Sequence, residues 1–249
     1  MAHGRQRWLQ LASYGLILVL WLGVAELTGS RLLPGPYAVA ERLGEEFASG
    51  DLMLHLGATL GRVAASFVLA MAIGCAIGIA MGRNRSVDRL LDGWLIVFLN
   101  IPALVIIILA YVWFGLTEAA AVGAVAINKI PNVVVTMREG ARALNRDLLE
   151  MAGVFRMNRW RKLRHVVVPQ LSPYLMASTR SGLSLIWKIV LVVELLGRGN
   201  GVGFQLQMFF SLFDIAGILA YTVAFVAVVL GIELALLQPL ERRVNRWRR

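Results

Sequence analysis

A single cysteine and three histidines stand in a chain of 249 residues. Cys75 lies inside an apolar run, so it can join neither a disulfide framework nor a cysteine metal site, and it reads as packing. His3, His55 and His165 are scattered, with no H-E-x-x-H pattern and no metal-ligand spacing, so no metal is expected. The run G-x-x-x-x-G-K-[ST] is also missing, which excludes nucleotide binding by a phosphate loop. The chain is therefore expected to be no enzyme and to hold no cofactor of its own. Neither an internal repeat of roughly 20–50 residues nor a low-complexity tract occurs. Charge is scarce too: 16% of residues are charged, against about a quarter in soluble domains. Negative charge is scarcest, with 15 acidic residues against 25 basic ones.

What fills the chain is apolar: 58% of residues are hydrophobic, which makes a membrane the expected solvent. Six runs have the length of about 20 residues needed to cross a hydrocarbon core of about 30 Å as helices. They span residues 9–28, 58–82, 91–114, 117–137, 173–197 and 214–240. The first follows Arg5 and Arg7 as a signal peptide would. Its apolar part is long and no A-x-A cleavage pattern follows, so it is expected to be retained. The expectation is one all-α, polytopic membrane domain over residues 1–249.

The basic residues fall unevenly between these runs. Residues 1–8, 83–91, 138–169 and 241–249 hold 18 Lys and Arg, and the alternate loops hold only Arg31, Arg42 and Arg198. Cytoplasmic loops carry the positive excess, so both termini are expected in the cytoplasm. The net charge of +10 is then a topology signal. A nucleic-acid face would need basic residues interleaved with base-stacking aromatics, and none is present. On the opposite side, residues 29–57 form an outer loop with a turn at Leu33–Pro36 and a short amphipathic helix expected over 38–48.

Four basic residues remain inside the runs: Arg62, Lys129, Arg180 and Lys188. Arg62 is close enough to its helix end to snorkel. Lys129 and Lys188 lie roughly 8 to 9 residues from the nearer ends of their runs and roughly 12 to 15 from the farther ends, too deep to do so, and charges at that depth mark transport paths or internal ion pairs. On the fifth run, Arg180, Ser184, Trp187, Lys188, Leu191 and Glu194 fall within about a third of the helix circumference, a polar seam on an apolar rod. Arg180 or Lys188 could line a path or pair with Glu194 or Glu233. Asn128 precedes Lys129, and Pro102 and Pro131 free backbone carbonyls that in lipid need a partner or a watery cavity. Gly74, Gly78 and Gly82 recur every four residues, giving one helix face that permits close packing.

Between the fourth and fifth runs, eight basic residues lie from Arg138 to Arg164. Leu144, Leu148, Ala152 and Phe155 recur at helical spacing while Arg142, Arg146, Asp147 and Glu150 face away, which predicts a short amphipathic helix. Asn158 offers an N-cap for a second one. Such a pair can dock into a partner's groove or lie on anionic lipid.

The pattern E-x-A-x6-R-W-x5-V-V-x-P at Glu150–Pro169 resembles the "EAA" cytoplasmic loop of bacterial ABC importer permeases. The flanking text is similar to the nitrate/sulfonate/taurine-type branch: LPGPYAV from Leu33, IPALVIIILAYVWFG at Ile101–Gly115, P-x-L-x-P at Pro169–Pro173, RSGLSLIW at Arg180–Trp187 and VELLGRGNGVG at Val193–Gly203. The resemblance covers nearly the whole chain. It departs at Arg156, where the family spacing calls for glycine; the loop is then expected to bend at Met157-Asn158 instead, or to dock with altered geometry.

The resemblance implies an inner-membrane permease subunit of about six transmembrane helices. Its coupling loop, about 138–169, would engage the ATPase through Glu150, Ala152, Arg156, Arg159, Trp160 and Pro169. It implies two permeases, taken as two copies of this chain, two ATPase subunits that bind ATP and magnesium, and an extracytoplasmic binding protein. Asn128, Lys129, Arg180, Ser184, Lys188 and Glu194 are the residues expected on the translocation path of a small anion such as nitrate, taurine or another sulfonate. Two alternatives stand beside this: a permease for a neutral or cationic vitamin or pyrimidine precursor, and an ion-coupled carrier using Lys129, Lys188 and Glu194.

Overall fold

The structure is a computed structural model that describes residues 2–28 and 32–245. Arg31, Arg246, Arg248 and Arg249, which enter the loop-charge argument, lie outside the described residues. Every regular element among the described residues is helical. In chain order these are α1 (Ala2–Thr28), α2 (Pro36–Ser49), α3 (Asp51–Arg83), α4 (Arg85–Asn100), α5 (Ala103–Phe114), α6 (Glu118–Arg142), α7 (Arg146–Val154), α8 (Arg159–Lys162), α9 (Val168–Gly197), α10 (Val202–Leu212), α11 (Ile215–Ile232) and α12 (Gln238–Asn245). Single π turns join α8 to α9 at Leu163–Val167 and α11 to α12 at Glu233–Leu237.

Helices α3 and α6 form the centre, and the glycine spacing explains why. A Cβ at Gly74 would stand 2.6 Å from Val133 Cβ, one at Gly78 2.7 Å from both Met137 Cβ and the Val134 carbonyl, and one at Gly82 2.6 Å from Ala141 Cβ. The two backbones can approach this closely only without those side chains. Gly78→Ala would drive a methyl group into the carbonyl of a helix that cannot move alone. It is expected to cost about 1–3 kcal/mol, read as a lower melting temperature of the solubilised chain. Helix α9 packs across the pair, with the ring of Tyr174 filling the space over Gly140. Val63, Ile107, Val125, Ile186, Val190 and Val193 close the core where α3, α5, α6 and α9 meet.

The spans differ from the sequence expectation in two ways. Residues 91–114 are not one helix. The chain breaks at Ile101-Pro102, and α4 and α5 meet at 96°. Pro102 has no N–H to donate and holds Ile101 in extended backbone, ending α4. Among the described residues, three helices are long and apolar enough to cross a membrane, 51–83, 118–142 and 215–243, with the bent pair as a fourth. The expected six are not reached on that measure among the described residues, where α1 contributes the shorter apolar stretch Gly15–Thr28 and α9 is interrupted by Arg180, Lys188 and Glu194.

The outer loop is also shorter than expected, because α3 begins at Asp51 directly after α2. Gly50, at φ 86°, makes the left-handed turn between them. Pro36 opens α2 as its first residue, as the Leu33–Pro36 turn anticipates. Within α2, Arg42 pairs with Glu46 at 3.0 Å; the helix is tied to the rest of the bundle by Arg42 at 3.3 Å from Asp214 and by the Tyr221 hydroxyl of α11, which donates to Glu46 at 3.0 Å.

Candidate functional site

The loop between α6 and α9 is built as a closed excursion. Its base is stapled where the Asn145 backbone N–H donates to Gln170 Oε1 at 2.8 Å, and the Gln170 amide donates to the Val166 carbonyl. The Asn145 side chain caps α7 by accepting from the Asp147 and Leu148 N–H groups. At the other end of α7, Met157 N–H donates to the Ala152 carbonyl at 3.0 Å and Arg156 N–H to Gly153 at 2.9 Å. That is a Schellman closure, and its left-handed position is Arg156, at φ 47°. The bend therefore sits at Arg156, not at Met157-Asn158, and an arginine holds the left-handed position at a cost of about 1–2 kcal/mol. Asn158 stands at the start of α8, but its side chain makes no capping bond. Lys162 instead ties α8 to α7 by donating to the Leu149 carbonyl at 3.2 Å.

Only part of the predicted apolar face turns inward. Leu144 and Ala152 are buried, whereas Leu148 and Phe155 are exposed. Val154, Phe155 and Trp160 are 81%, 73% and 65% accessible. Glu150, Arg156, Arg159 and Pro169 are exposed around them. The loop thus displays three large apolar side chains among arginines, with Ala152 as the small buried foot of α7.

Inside the bundle, the seam on α9 divides. Arg180, Ser184 and Lys188, four residues apart, are exposed along one line, while Trp187 and Glu194 turn into the core. Arg180 is not a free positive station: it lies 3.2 Å from Glu233 and 2.8 Å from Glu241. Glu194 does not meet Lys188 either. It is fully buried, and Arg62 Nη1 donates to it at 2.7 Å. The expectation that Arg62 snorkels is thereby corrected, because Arg62 is itself 5% accessible and has acceptors within the protein. Its Nε and Nη2 reach the two oxygens of Glu118 at 2.9 and 2.7 Å, Nη1 reaches the Asn200 carbonyl at 2.8 Å, and Nη2 donates to Asn200 Oδ1. Arg198 adds a further bond to Glu118 at 2.6 Å.

This network sits at the end of the bundle opposite the loop and explains the glycine-rich RGNGVG segment. Glu194 Oε2 accepts from Thr59 Oγ1 and from the Gly203 N–H, each at 2.9 Å. His55 Nδ1 accepts from the Gly201 N–H at 2.9 Å. The segment wraps around the Glu194 carboxylate so tightly that a side chain at Gly201 would collide with it, and one at Gly203 would collide with the Leu191 carbonyl. Gly201 also has φ 112°, which glycine alone adopts easily. Arg62, Glu118 and Arg198 were not among the expected site residues; a buried Glu194 required a cation, and that requirement was the available signal.

Lys129 is different from every other deep cation. It is 3% accessible and, among the described residues, makes no ion pair or hydrogen bond. It lies across Gly182 of α9, where a Cβ would stand 2.9 Å from Lys129 Cε and 3.6 Å from Nζ. Asn128 beside it is half-buried. Lys188 is likewise unpaired among the described residues, but exposed. No group of three or more His, Cys, Asp or Glu that could hold a metal occurs among the described residues.

The fold has a counterpart among solved structures: an amino acid ABC transporter crystallised with histidines superimposes with a TM-score of 0.64, covering 81% of this chain and 97% of that one at 20% identity. In sequence, the riboflavin transport system permease protein of Chloroflexus aurantiacus is 30% identical over 93% of this chain and 87% of its own length. The taurine transport system permease protein of Escherichia coli is 26% identical over 98% of this chain and 90% of its own. Residues 66–246, from the middle of α3 through the loop to the end of the helical bundle, match the model of one family. The chain belongs to the binding-protein-dependent transport system inner membrane components.

Proposed function

We propose that this chain, as one permease domain over residues 1–249, forms the translocation path of an ATP-driven importer for a small anion. Two copies of the chain pair with two ATPase subunits, which bind ATP and magnesium, and receive solute from a binding protein. The arginine-rich loop side and both termini face the cytoplasm of a bacterial cell, following the charge asymmetry. The loop carries the coupling: Val154, Phe155 and Trp160 supply apolar anchors, and Glu150, Arg156 and Arg159 rim them. Ala152 and Pro169 hold the shape of the loop.

The observation that carries the anion reading is the unpaired Lys129. A largely buried lysine with no carboxylate partner is costly unless an anion visits it, and Arg180 and Arg62 are already neutralised by carboxylates. Lys188 and Ser184, exposed on α9, and Asn128 beside Lys129 complete the path. Taurine, named for one relative, carries the kind of anionic group that would fit.

Lys129→Met tests this in the reconstituted transporter. Uptake of an anionic substrate is expected to fall about tenfold or more, the loss of one charge-assisted bond. Assembly with the ATPase and thermal stability should be kept or improved, because a buried unpaired charge is removed. Lys188→Met should lower uptake to a smaller degree. A second reading, a neutral solute, is favoured by the relative named for riboflavin; it would be supported if both variants transported at the wild-type rate.

A further inference from the structure

Five arginines gather where α3 ends, α4 begins and α6 gives way to α7. Arg83, Arg85, Arg89, Arg142 and Arg146 line a cleft of about 850 Å³, with Asp88 as the single carboxylate in its wall. Asp88 is already used: it lies 2.6 Å from Arg142 and 3.4 Å from Arg138. Arg83, Arg85, Arg89 and Arg146 make no ion pair among the described residues, and all are exposed. Four unneutralised guanidinium groups around one cavity repel one another, and planar forks of this kind suit a phosphate group.

The same helices form an apolar groove deeper in the bundle. It holds about 270 Å³ between Ile77, Leu91, Trp94, Phe98 and Ile130, and Met81 lines both it and the arginine cleft. A polar, cationic cavity and an adjoining dry groove on the lateral face of a membrane bundle match an amphiphile, with its phosphate in the first and an acyl chain along the second.

We propose that this cleft binds the phosphodiester headgroup of an anionic phospholipid, such as phosphatidylglycerol. The lipid would touch the loop proposed to carry coupling, because Arg146 and Leu149 of α7 form part of the cavity wall. The inference does not depend on which solute is carried; it needs only the membrane setting.

The test uses the assembled transporter in nanodiscs of phosphatidylcholine with phosphatidylglycerol, followed by detergent extraction and quantification of retained lipid by native mass spectrometry. Wild type is expected to retain phosphatidylglycerol above its bulk share. Arg85→Gln/Arg89→Gln should lower that enrichment roughly tenfold, and the charge-matched control Arg242→Gln/Arg243→Gln should leave it unchanged. Equal loss in both variants would mean nonspecific attraction to a basic face and would overturn the proposal. So would release of the lipid by inorganic phosphate at an equal concentration, which would mark a free-anion site. Unchanged lipid retention with weakened ATPase copurification in Arg85→Gln/Arg89→Gln would assign the arginines to a protein contact and overturn it as well.

Discussion

Glu194→Ala is expected to lower the unfolding free energy of the chain by about 3–5 kcal/mol, the cost of removing one member of a buried ion pair. The carboxylate is fully buried and accepts from Arg62, Thr59 and Gly203 at 2.7 to 2.9 Å. Its loss strands an N–H of the RGNGVG turn and leaves Arg62 half-neutralised, so the turn that joins α9 to α10 should loosen with it. Glu118→Ala removes a carboxylate that is 54% accessible in its side chain, and water can replace much of its bond; its effect should be a small fraction of the Glu194 effect. A double-mutant cycle with Arg62→Met separates coupling from cavity formation. Arg62→Met/Glu194→Ala should be markedly more stable than the sum of the two single losses predicts. Additive losses would mean that the two charges do not stabilise each other. Lys188→Met, by contrast, should leave thermal stability near wild type, since Lys188 is exposed and not joined to Glu194.

Deletion of Asn145–Asn158 is expected to abolish substrate-stimulated ATP hydrolysis and uptake while the membrane bundle still folds. The segment removed is α7 and its Schellman turn, which touch the bundle through Asn145, Leu149 and Ala152, while the larger part of that cluster stays: Leu144 and Val167 packed with Val133, Met137 and Leu171. What disappears is two of the three exposed apolar side chains, Val154 and Phe155, together with the rim residues Glu150 and Arg156. Two point variants give graded versions. Trp160→Ala should weaken ATPase binding by about 2 kcal/mol or more, close to 30-fold, if its exposed ring is a docking anchor. Glu150→Lys reverses a rim charge and should lower the association rate and coupling with no loss of fold. Wild-type hydrolysis and uptake in the deletion would remove the loop from the coupling role.

The helical runs and the loop could be read from sequence because their signals are local. Gly74, Gly78 and Gly82 announce a packing face by spacing alone, and the face is where α3 meets α6. Pro36 and Asn145 begin helices for reasons contained within a few residues of chain. Arg62 shows where local reading fails. Its distance from a helix end suggests snorkelling, and only the fold reveals that Glu118, Glu194 and Asn200, at least 56 residues away, converge on it. Pro102 was legible as a perturbation, but a bend and a full break at 96° differ by how Ile101 is held, which depends on what α4 and α5 pack against. Arg156 marks the opposite error: the substitution argued for a displaced turn, yet the bonds closing α7 are backbone bonds, and they hold the turn in place whatever side chain must bear the strain.

Uptake by proteoliposomes containing the purified chain, with and without its ATPase, tests the central claim most directly. Vesicles should hold ATP inside and binding protein loaded with a small anion outside, and a parallel set should carry a proton or sodium gradient in place of ATP. The account predicts accumulation only when the ATPase and ATP are both present, and none driven by the ion gradient. Accumulation by the chain alone under an ion gradient would contradict it and would make Lys129, Lys188 and Glu194 the coupling groups of a secondary carrier.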